Sequence, residues 1–270
     1  MTLSNSTVDY IDPDEDRIRE ECGVFGIFGL DNAASLTALG LHALQHRGQE
    51  ACGIASFDGK KFHTERHLGL VGDNFTASDP SERLKGYMSI GHVRYSTAGQ
   101  TVLRNVHPLC SELHMGGFAV AHNGHLTNAF TLREQLVENG ALFQSTSDTE
   151  VLIHLIARAR SGEFIDRFIE AIRQVDGGYA FVGMTADQLV GARDRLGIRP
   201  LLVGRIGHSY ILASETCAFD LIGAEYIRDI EPGEILEVMP DCKTNSFFPF
   251  KLSKPAPCIF EFVYFARPDS

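Results

Sequence analysis

Short apolar runs bounded by turn residues place predicted strands in both halves of the chain, with most helices between them. The predicted strands are 24–28, 51–57, 62–68, 87–95 and 117–121, then 179–184, 189–193, 201–203, 210–213 and 235–238. The predicted helices are 33–45, 127–138, 147–160 and 164–175, the third opened by the capping-box pattern Ser147-Asp148-Thr149-Glu150. We expect the strand at 117–121 to end at His122-Asn123-Gly124, and the last helix to be broken at Gly177-Gly178.

This order of elements predicts an α+β fold with sheets packed on each other and helices outside them. The strands do not alternate one for one with helices, which argues against a doubly wound parallel sheet. The sequence also contains neither GxGxxG nor GxxxxGK[ST], so the common phosphate-binding loops are missing from it.

Composition narrows the classes of function. The 270 residues are 44% hydrophobic and carry a net charge of -11, which is ordinary for a globular protein but unfavourable for binding nucleic acid. No apolar run is long enough to cross a membrane. Residues 1–21 hold seven acids and two arginines, unlike a secretory signal, and the six cysteines form no CxxC pair. We therefore expect a cytoplasmic protein with reduced thiols.

Metal and serine chemistry are weakly indicated. Three pairs of residues have the spacing of four that suits two ligands on a helix, namely His42 with His46, His63 with His67, and Cys110 with His114. Ordinary surface or hydrogen-bonding roles explain these pairs better. A GxSxG nucleophile elbow is missing from the sequence, so a serine hydrolase is disfavoured.

A cysteine nucleophile is the stronger hypothesis. Cys22 begins the first strand, while the remaining cysteines have a simple interpretation as small buried side chains. Four polar clusters occupy predicted element ends, where functional sites often form: 45–50, 92–97, 122–125 and 147–150. Each cluster alone also has a structural explanation, such as a salt bridge at Arg94, a turn at Asn123-Gly124 or a helix-dipole contact at Asp148.

Taken together, the motifs resemble those of one family. In order along the chain these are CGVFGIFG, GLHALQHRGQE, IGHVRYSTAG, AHNGHLTNA, TSDTEVLIHL, RDRLGIRPL, SETCAFDLIGA, EPGE and FEFVYFARPDS. The chain from Cys22 to Ser270 resembles the glutaminase domain of the amidophosphoribosyltransferase family, within the class II, or N-terminal nucleophile, glutamine amidotransferases. The early motifs are shared with other class II enzymes, whereas SETCAFD and FVYFARPDS are specific to this family.

The resemblance implies a four-layer αββα sandwich of two mainly antiparallel sheets, the N-terminal nucleophile hydrolase fold. It also implies that Cys22 attacks glutamine to form a thioester, supplying ammonia for phosphoribosylamine formation in the first step of purine biosynthesis. The base would be the α-amino group of Cys22, which requires removal of residues 1–21.

The resemblance assigns the other site residues as well. Asn123 and Gly124 match the oxyanion hole, Arg94 matches the residue that binds the α-carboxylate of glutamine, and Asp148 matches the residue that binds its α-ammonium. Arg47 and Gly48 match a loop that closes over glutamine. His122 and Thr97 are candidates for supporting the pocket.

The family pattern divides the chain into a leader (1–21), a class II glutamine amidotransferase domain (22–255) and the start of a linker (256–270). A phosphoribosyltransferase domain is expected to follow, and its acidic loop is not found in the sequence. That half would need Mg²⁺, whereas the glutaminase reaction needs no cofactor. Cys258 matches a 4Fe-4S ligand of some members, although others keep a cysteine there without a cluster, which is the interpretation favoured here. Full-length members assemble as homo-oligomers.

Three alternatives stay open on the sequence alone. The chain could belong to another class II amidotransferase, such as a hexosamine-forming or asparagine-forming enzyme. It could bind glutamine without hydrolysing it, although such a sensor has no need of Cys22. It could also hydrolyse a different amide, in which case Arg94 and Asp148 would be superfluous.

Overall fold

The computed structural model describes residues 22–75, 79–95, 102–160, 162–240, 242–251 and 254–270. The leader proposed at 1–21 and the candidate residue Thr97 lie outside these residues. None of the helices in the described ranges has the length and apolar character needed to span a bilayer.

The structure contains strands and helices at the following positions. The strands are β1 (Gly23–Phe28), β2 (Ala51–Phe57), β3 (Phe62–Leu68), β4 (Met88–Arg94), β5 (Leu109–Leu113), β6 (Gly116–Leu126), β7 (Gly177–Met184), β8 (Leu189–Arg193), β9 (Leu202–Ile206), β10 (Ser209–Ala213), β11 (Glu225–Asp229), β12 (Ile235–Val238) and β13 (Thr244–Phe247). The helices are α1 (Ala33–Ala43), α2 (Val71–Phe75), α3 (Ala129–Glu138), α4 (Thr149–Arg158), α5 (Phe164–Ile172) and α6 (Cys217–Ile222).

The strands form two sheets, and every strand pair in them is antiparallel. The seven-stranded sheet has the order β11-β9-β10-β1-β4-β2-β3, and the six-stranded sheet has the order β13-β12-β8-β7-β6-β5. Strand β1 lies near the centre of the first sheet, between β10 and β4. From Phe25 to Phe28, β1 is therefore paired on both sides.

Three apolar layers show that this is a four-layer αββα sandwich, which confirms the predicted fold. In β1, Phe25 and Ile27 pack in the layer beneath α1 and α6, whereas Val24 packs in the layer between the sheets. The third layer lies between the six-stranded sheet and α4 and α5. The period-two alternation of side chains along a strand therefore decides which residues face the space between the sheets.

The predicted end of one strand is wrong, and the helix predicted at 164–175 already ends at Ile172, before Gly177-Gly178. Strand β6 runs on to Leu126 through His122-Asn123-Gly124, because it pairs with β7, whose first residues are Gly177 and Gly178. The two glycine-containing segments that resemble turns in the sequence are paired strands. A Cβ on Gly177 would lie 2.1 Å from the carbonyl oxygen of His125, so the pairing needs glycine there.

The capping box predicted at the start of α4 also does not form. The Glu150 carboxylate accepts the backbone N–H groups of Gln144 and Ser145, both at 2.7 Å, instead of that of Ser147. The Ser147 N–H is instead bonded to the Ser145 hydroxyl. Glu150 thus holds the loop before α4, and this loop carries Asp148.

Candidate active site

A cavity of about 190 Å³ opens where β1, β4, β6 and the start of α4 meet. Its lining includes the predicted residues Cys22, Arg94, Gly124 and Asp148. The other lining residues are His92, Tyr95, Asn105, His107, His122, His125, Thr146 and Ser147. The four sequence-predicted residues come from four separate chain segments. The structure therefore brings most of the predicted site together in one concave place.

Cys22 lies immediately before β1, at the edge of this cavity. Its Sγ lies 3.8 Å from the carbonyl oxygen of Tyr95, the residue after β4. Burial raises the pKa of the thiol, and the nearby charges of Arg94, Arg199 and Arg47 only partly oppose this shift. The thiol is consequently protonated near neutral pH and needs a base before it can act as a nucleophile.

Asn123 is completely buried on β6. It follows Ala119 and Ala121 at alternate positions, and these two alanines pack in the layer between the sheets. Neither atom of its side-chain amide has a hydrogen-bond partner among the described residues. A buried amide without a partner is costly. Asn123 precedes Gly124 of the cavity but is not itself one of the residues that line it.

Gly124 has a backbone conformation that favours glycine. Its φ angle is 129°, and a Cβ there would lie 2.1 Å from the carbonyl oxygen of Gly178 on β7. Both the dihedral angle and the close approach of β7 therefore require glycine.

Arg94 ends β4, and among the described residues its side chain makes one hydrogen bond. Its Nη1 donates to the carbonyl oxygen of Asn105 at 3.1 Å, while its Nε has no partner among the described residues. The Asn105 side chain in turn bonds Thr146 through both its amide nitrogen (2.7 Å) and its amide oxygen (3.0 Å). Asn105 was not singled out in the sequence, and it ties Arg94 to the loop that carries Asp148.

Asp148 lies at the start of α4, where its carboxylate accepts the Leu126 N–H at 2.9 Å. Its oxygens also lie 3.6 Å from the Nδ1 atoms of His122 and His125. Burial pushes the pKa of Asp148 upward, but the imidazole of His122 and the Leu126 N–H outweigh it and hold the pKa below its usual range. Asp148 is therefore an anion near neutral pH.

Three buried histidines form one wall of the cavity, and only one of them, His122, was predicted from the sequence to support the pocket. The ring centroids of His92 and His107 are 4.7 Å apart, and those of His107 and His122 are 6.5 Å apart. Burial, followed by neighbouring positive groups including Arg94, lowers the pKa of His107 to about 3 and that of His92 well below its usual value. His92 and His107 are therefore neutral near pH 7.

The structure places Arg47 behind Cys22, and Arg47 does not line the cavity. Its completely buried guanidinium donates from Nε to the Cys22 carbonyl oxygen at 3.0 Å and pairs with Glu215 and Glu261. Gly48 packs beside it, and a Cβ there would lie 2.6 Å from the backbone nitrogen of Arg94. Contact of either residue with glutamine stays a prediction, whereas their contacts with the backbone at Cys22 and Arg94 are direct.

The segment proposed as a linker is attached to this same network. Glu261 belongs to a π-helical turn (Glu261–Phe265) and also pairs with Arg199 at 3.1 Å. Glu215 accepts the Arg267 N–H at 3.0 Å and the Ser270 hydroxyl at 2.8 Å. Burial opposes ionisation of Glu215, but its contacts with His46 and Arg47 lower its pKa to about 2. Residues 261–270 therefore contact the charged groups behind the nucleophile.

Several of the residues considered as metal ligands have other partners. His46 pairs with Glu215 and His63 with Asp58, and the described residues include no group of three or more histidine, cysteine or acidic side chains placed to hold a metal. Cys258 supplies one thiol where an iron–sulfur cluster takes four ligands, so the described residues alone do not fit a cluster.

Comparison with known proteins links this site to glutamine chemistry. Residues 92–220, which include Arg94, Asn123, Gly124 and Asp148, match the family described as "Glutamine amidotransferase domain". The chain is 58% identical over 262 residues to an amidophosphoribosyltransferase of Rhizobium etli, which covers 95% of this chain and 53% of that protein. It is 44% identical over 254 residues to the Bacillus subtilis amidophosphoribosyltransferase, covering 94% of this chain and 53% of that protein.

The solved structures agree with these relatives. The fold matches a solved structure of the Bacillus subtilis glutamine phosphoribosylpyrophosphate amidotransferase with a TM-score of 0.86 and 43% identity. That match covers 92% of this chain and 53% of the other. The chain thus spans about half the length of the relatives that it matches.

Proposed function

We propose that the chain belongs to the amidophosphoribosyltransferase family of glutamine amidotransferases and that it hydrolyses glutamine to glutamate and ammonia. The convergence of Cys22, Arg94, Gly124 and Asp148 on one cavity is the observation that carries this proposal. A nucleophile, an oxyanion site and one charged group for each end of a free amino acid are the parts that this reaction needs.

The reaction begins at the Cys22 thiol. Its sulfur attacks the carboxamide carbon of glutamine, the C–N bond breaks, and the thiol proton passes to the departing ammonia through the α-amino group of Cys22. Water then attacks the thioester, which releases glutamate and restores the thiol. The raised pKa of Cys22 makes the base necessary, and an α-amino group with a pKa of roughly 7.7–8.0 is suited to the task.

This role for the amine requires cleavage of the chain between Glu21 and Cys22, because an amide nitrogen cannot accept the proton. We therefore propose that residues 1–21 are a propeptide and that residues 22–255 form the amidotransferase domain. The contact from Arg47 Nε to the Cys22 carbonyl supports this arrangement, because it fixes the residue without using its nitrogen.

The remaining residues of the proposed site stabilise the charges of the substrate and of the oxyanion. Asn123 and the Gly124 N–H are proposed to donate to the oxyanion that develops on the carboxamide oxygen, which is consistent with the unpaired amide of Asn123. The guanidinium of Arg94 would bind the α-carboxylate of glutamine, and the Asp148 carboxylate would bind its α-ammonium. A planar guanidinium fork can hold both carboxylate oxygens at once.

The relatives suggest where the ammonia is used. Because they are named amidophosphoribosyltransferases and are about twice as long as the matched region, we propose that the ammonia serves a phosphoribosyl-transfer half that uses Mg²⁺. The product would be phosphoribosylamine, in purine biosynthesis. A homo-oligomer and a cytoplasmic location are further proposals, the second supported by six cysteines that are all free thiols.

Replacing Arg94 with lysine is expected to raise the KM for glutamine by about 10- to 100-fold and to lower kcat much less. Lysine keeps the charge but has no fork, so about one charge-assisted hydrogen bond worth roughly 1.5–3 kcal/mol is lost from substrate binding. The measurement is glutamate formation against glutamine concentration. Arg205→Lys, at a half-exposed ion pair with Glu225, is the matched control and should leave KM unchanged. An unchanged KM in Arg94→Lys would contradict the carboxylate role.

A further inference from the structure

One buried hydrogen bond joins the two sheets beside the candidate site. The Nε2 of His92, on β4, lies 3.0 Å from the carbonyl oxygen of His122, on β6. A carbonyl can only accept, so Nε2 carries the proton and donates it. His92 belongs to the seven-stranded sheet and His122 to the six-stranded sheet, so this bond crosses the layer between them.

The bond lies where β6 needs support. Strand β5 pairs with β6 only as far as Leu109 opposite Val120, two residues before His122. Beyond Val120, β6 carries Asn123 and Gly124. Among the described strands, this part of β6 pairs with β7 alone, on one side. His92 reaches the carbonyl of His122 from the opposite sheet, one residue before the proposed oxyanion donors.

His92 is well fixed for this purpose. It is completely buried, shares the inter-sheet face of β4 with Met88 and Ile90, and its ring lies against that of His107. The side chain of His122 points toward the start of α4, since its Nδ1 lies 2.9 Å from Thr149 Oγ1 and 3.6 Å from the Asp148 carboxylate. The bond from His92 therefore connects the strand of Arg94 with the strand of the oxyanion donors.

From this geometry we infer that His92 is a positioning residue for the oxyanion site, acting through the His122 carbonyl on Asn123 and Gly124. The inference rests on the proposed glutaminase function. Displacement of reacting groups by about 1 Å can cost on the order of 100-fold in rate, so a single buried bond at this place has a large effect on kcat. Arg94 and Asp148, which are proposed to bind glutamine, keep their own contacts without it.

The test compares three substitutions of His92 by steady-state glutamate formation. The amide nitrogen of glutamine can take the place of Nε2, whereas that of asparagine is too short to reach, and leucine has no donor. We expect His92→Gln to keep kcat within about threefold, and His92→Asn and His92→Leu to lose on the order of 10- to 100-fold. The KM for glutamine should stay within about threefold in all three.

Two controls separate this role from a general loss of structure. The thermal unfolding midpoint of each variant is measured, and alkylation of Cys22 by iodoacetamide, which forms no oxyanion, should proceed at the wild-type rate. The inference is overturned if His92→Gln loses as much kcat as His92→Asn, or if the asparagine variant keeps full kcat. Absence of glutaminase activity in the wild-type protein would instead refute the proposed function itself.

Discussion

Replacing Cys22 with alanine is expected to abolish glutamine hydrolysis, lowering kcat by on the order of 10⁴-fold or more. Loss of a nucleophile in other covalent hydrolases has effects of this size, because the remaining oxyanion site and binding groups supply only a small part of the rate. Burial raises the pKa of this thiol, so the mechanism depends on a base that deprotonates it during attack. No other described cysteine lines the cavity and could replace it.

The measurement is ammonia release at saturating glutamine. Cys110→Ala is the matched control, because Cys110 is an exposed free thiol on β5 outside the cavity, and it should keep full activity. Substantial glutaminase activity in Cys22→Ala, or equal losses in the two variants, would contradict a thioester at Cys22.

Replacing Asn123 with alanine is expected to lower kcat by about 10²- to 10³-fold with little change in KM, as loss of one oxyanion donor does elsewhere. The same substitution should leave the free energy of unfolding within about 1 kcal/mol of wild type. Both amide atoms lack described partners, so the protein loses no hydrogen bond, and the removal of an unpaired buried polar group offsets the loss of packing.

The two readouts for Asn123 distinguish function from structure. Chemical denaturation gives the stability, and single-turnover kinetics with glutamine give the rate of thioester formation. Asn105→Ala is a useful comparison, because Asn105 makes two side-chain hydrogen bonds to Thr146 and should lose stability as well as activity. If Asn123→Ala unfolds easily while its folded fraction is fully active, the residue is structural and not an oxyanion donor.

Local pattern predicted some elements well. The strands β2 and β3 have the predicted bounds, since the turn residues Asp58-Gly59 separate them. Short exposed elements such as β11 and β13 were missed, because their mostly solvent-exposed side chains have little apolar signal. The continuation of β6 through Asn123-Gly124 depends on glycines of β7 that are more than 50 residues away, and no local rule contains that information.

The candidate site was also predicted only in part from the sequence. The family resemblance supplied residues that do line one cavity, namely Cys22, Arg94, Gly124 and Asp148. It gave no indication that Arg47 is bound by Glu261, which is 214 residues further along the chain. The supporting contacts from His92 and Asn105 were missed for the same reason, because a buried hydrogen bond between distant segments leaves no periodicity in the sequence.

The central claim is that Cys22 is an N-terminal nucleophile that recognises glutamine. Intact mass spectrometry of the purified chain, before and after treatment with an electrophilic glutamine analogue, tests it most directly. The account predicts a chain that begins at Cys22 and gains a single adduct on that residue, with protection by free glutamine. An adduct on a different residue, or a fully active chain that still carries residues 1–21, would contradict it.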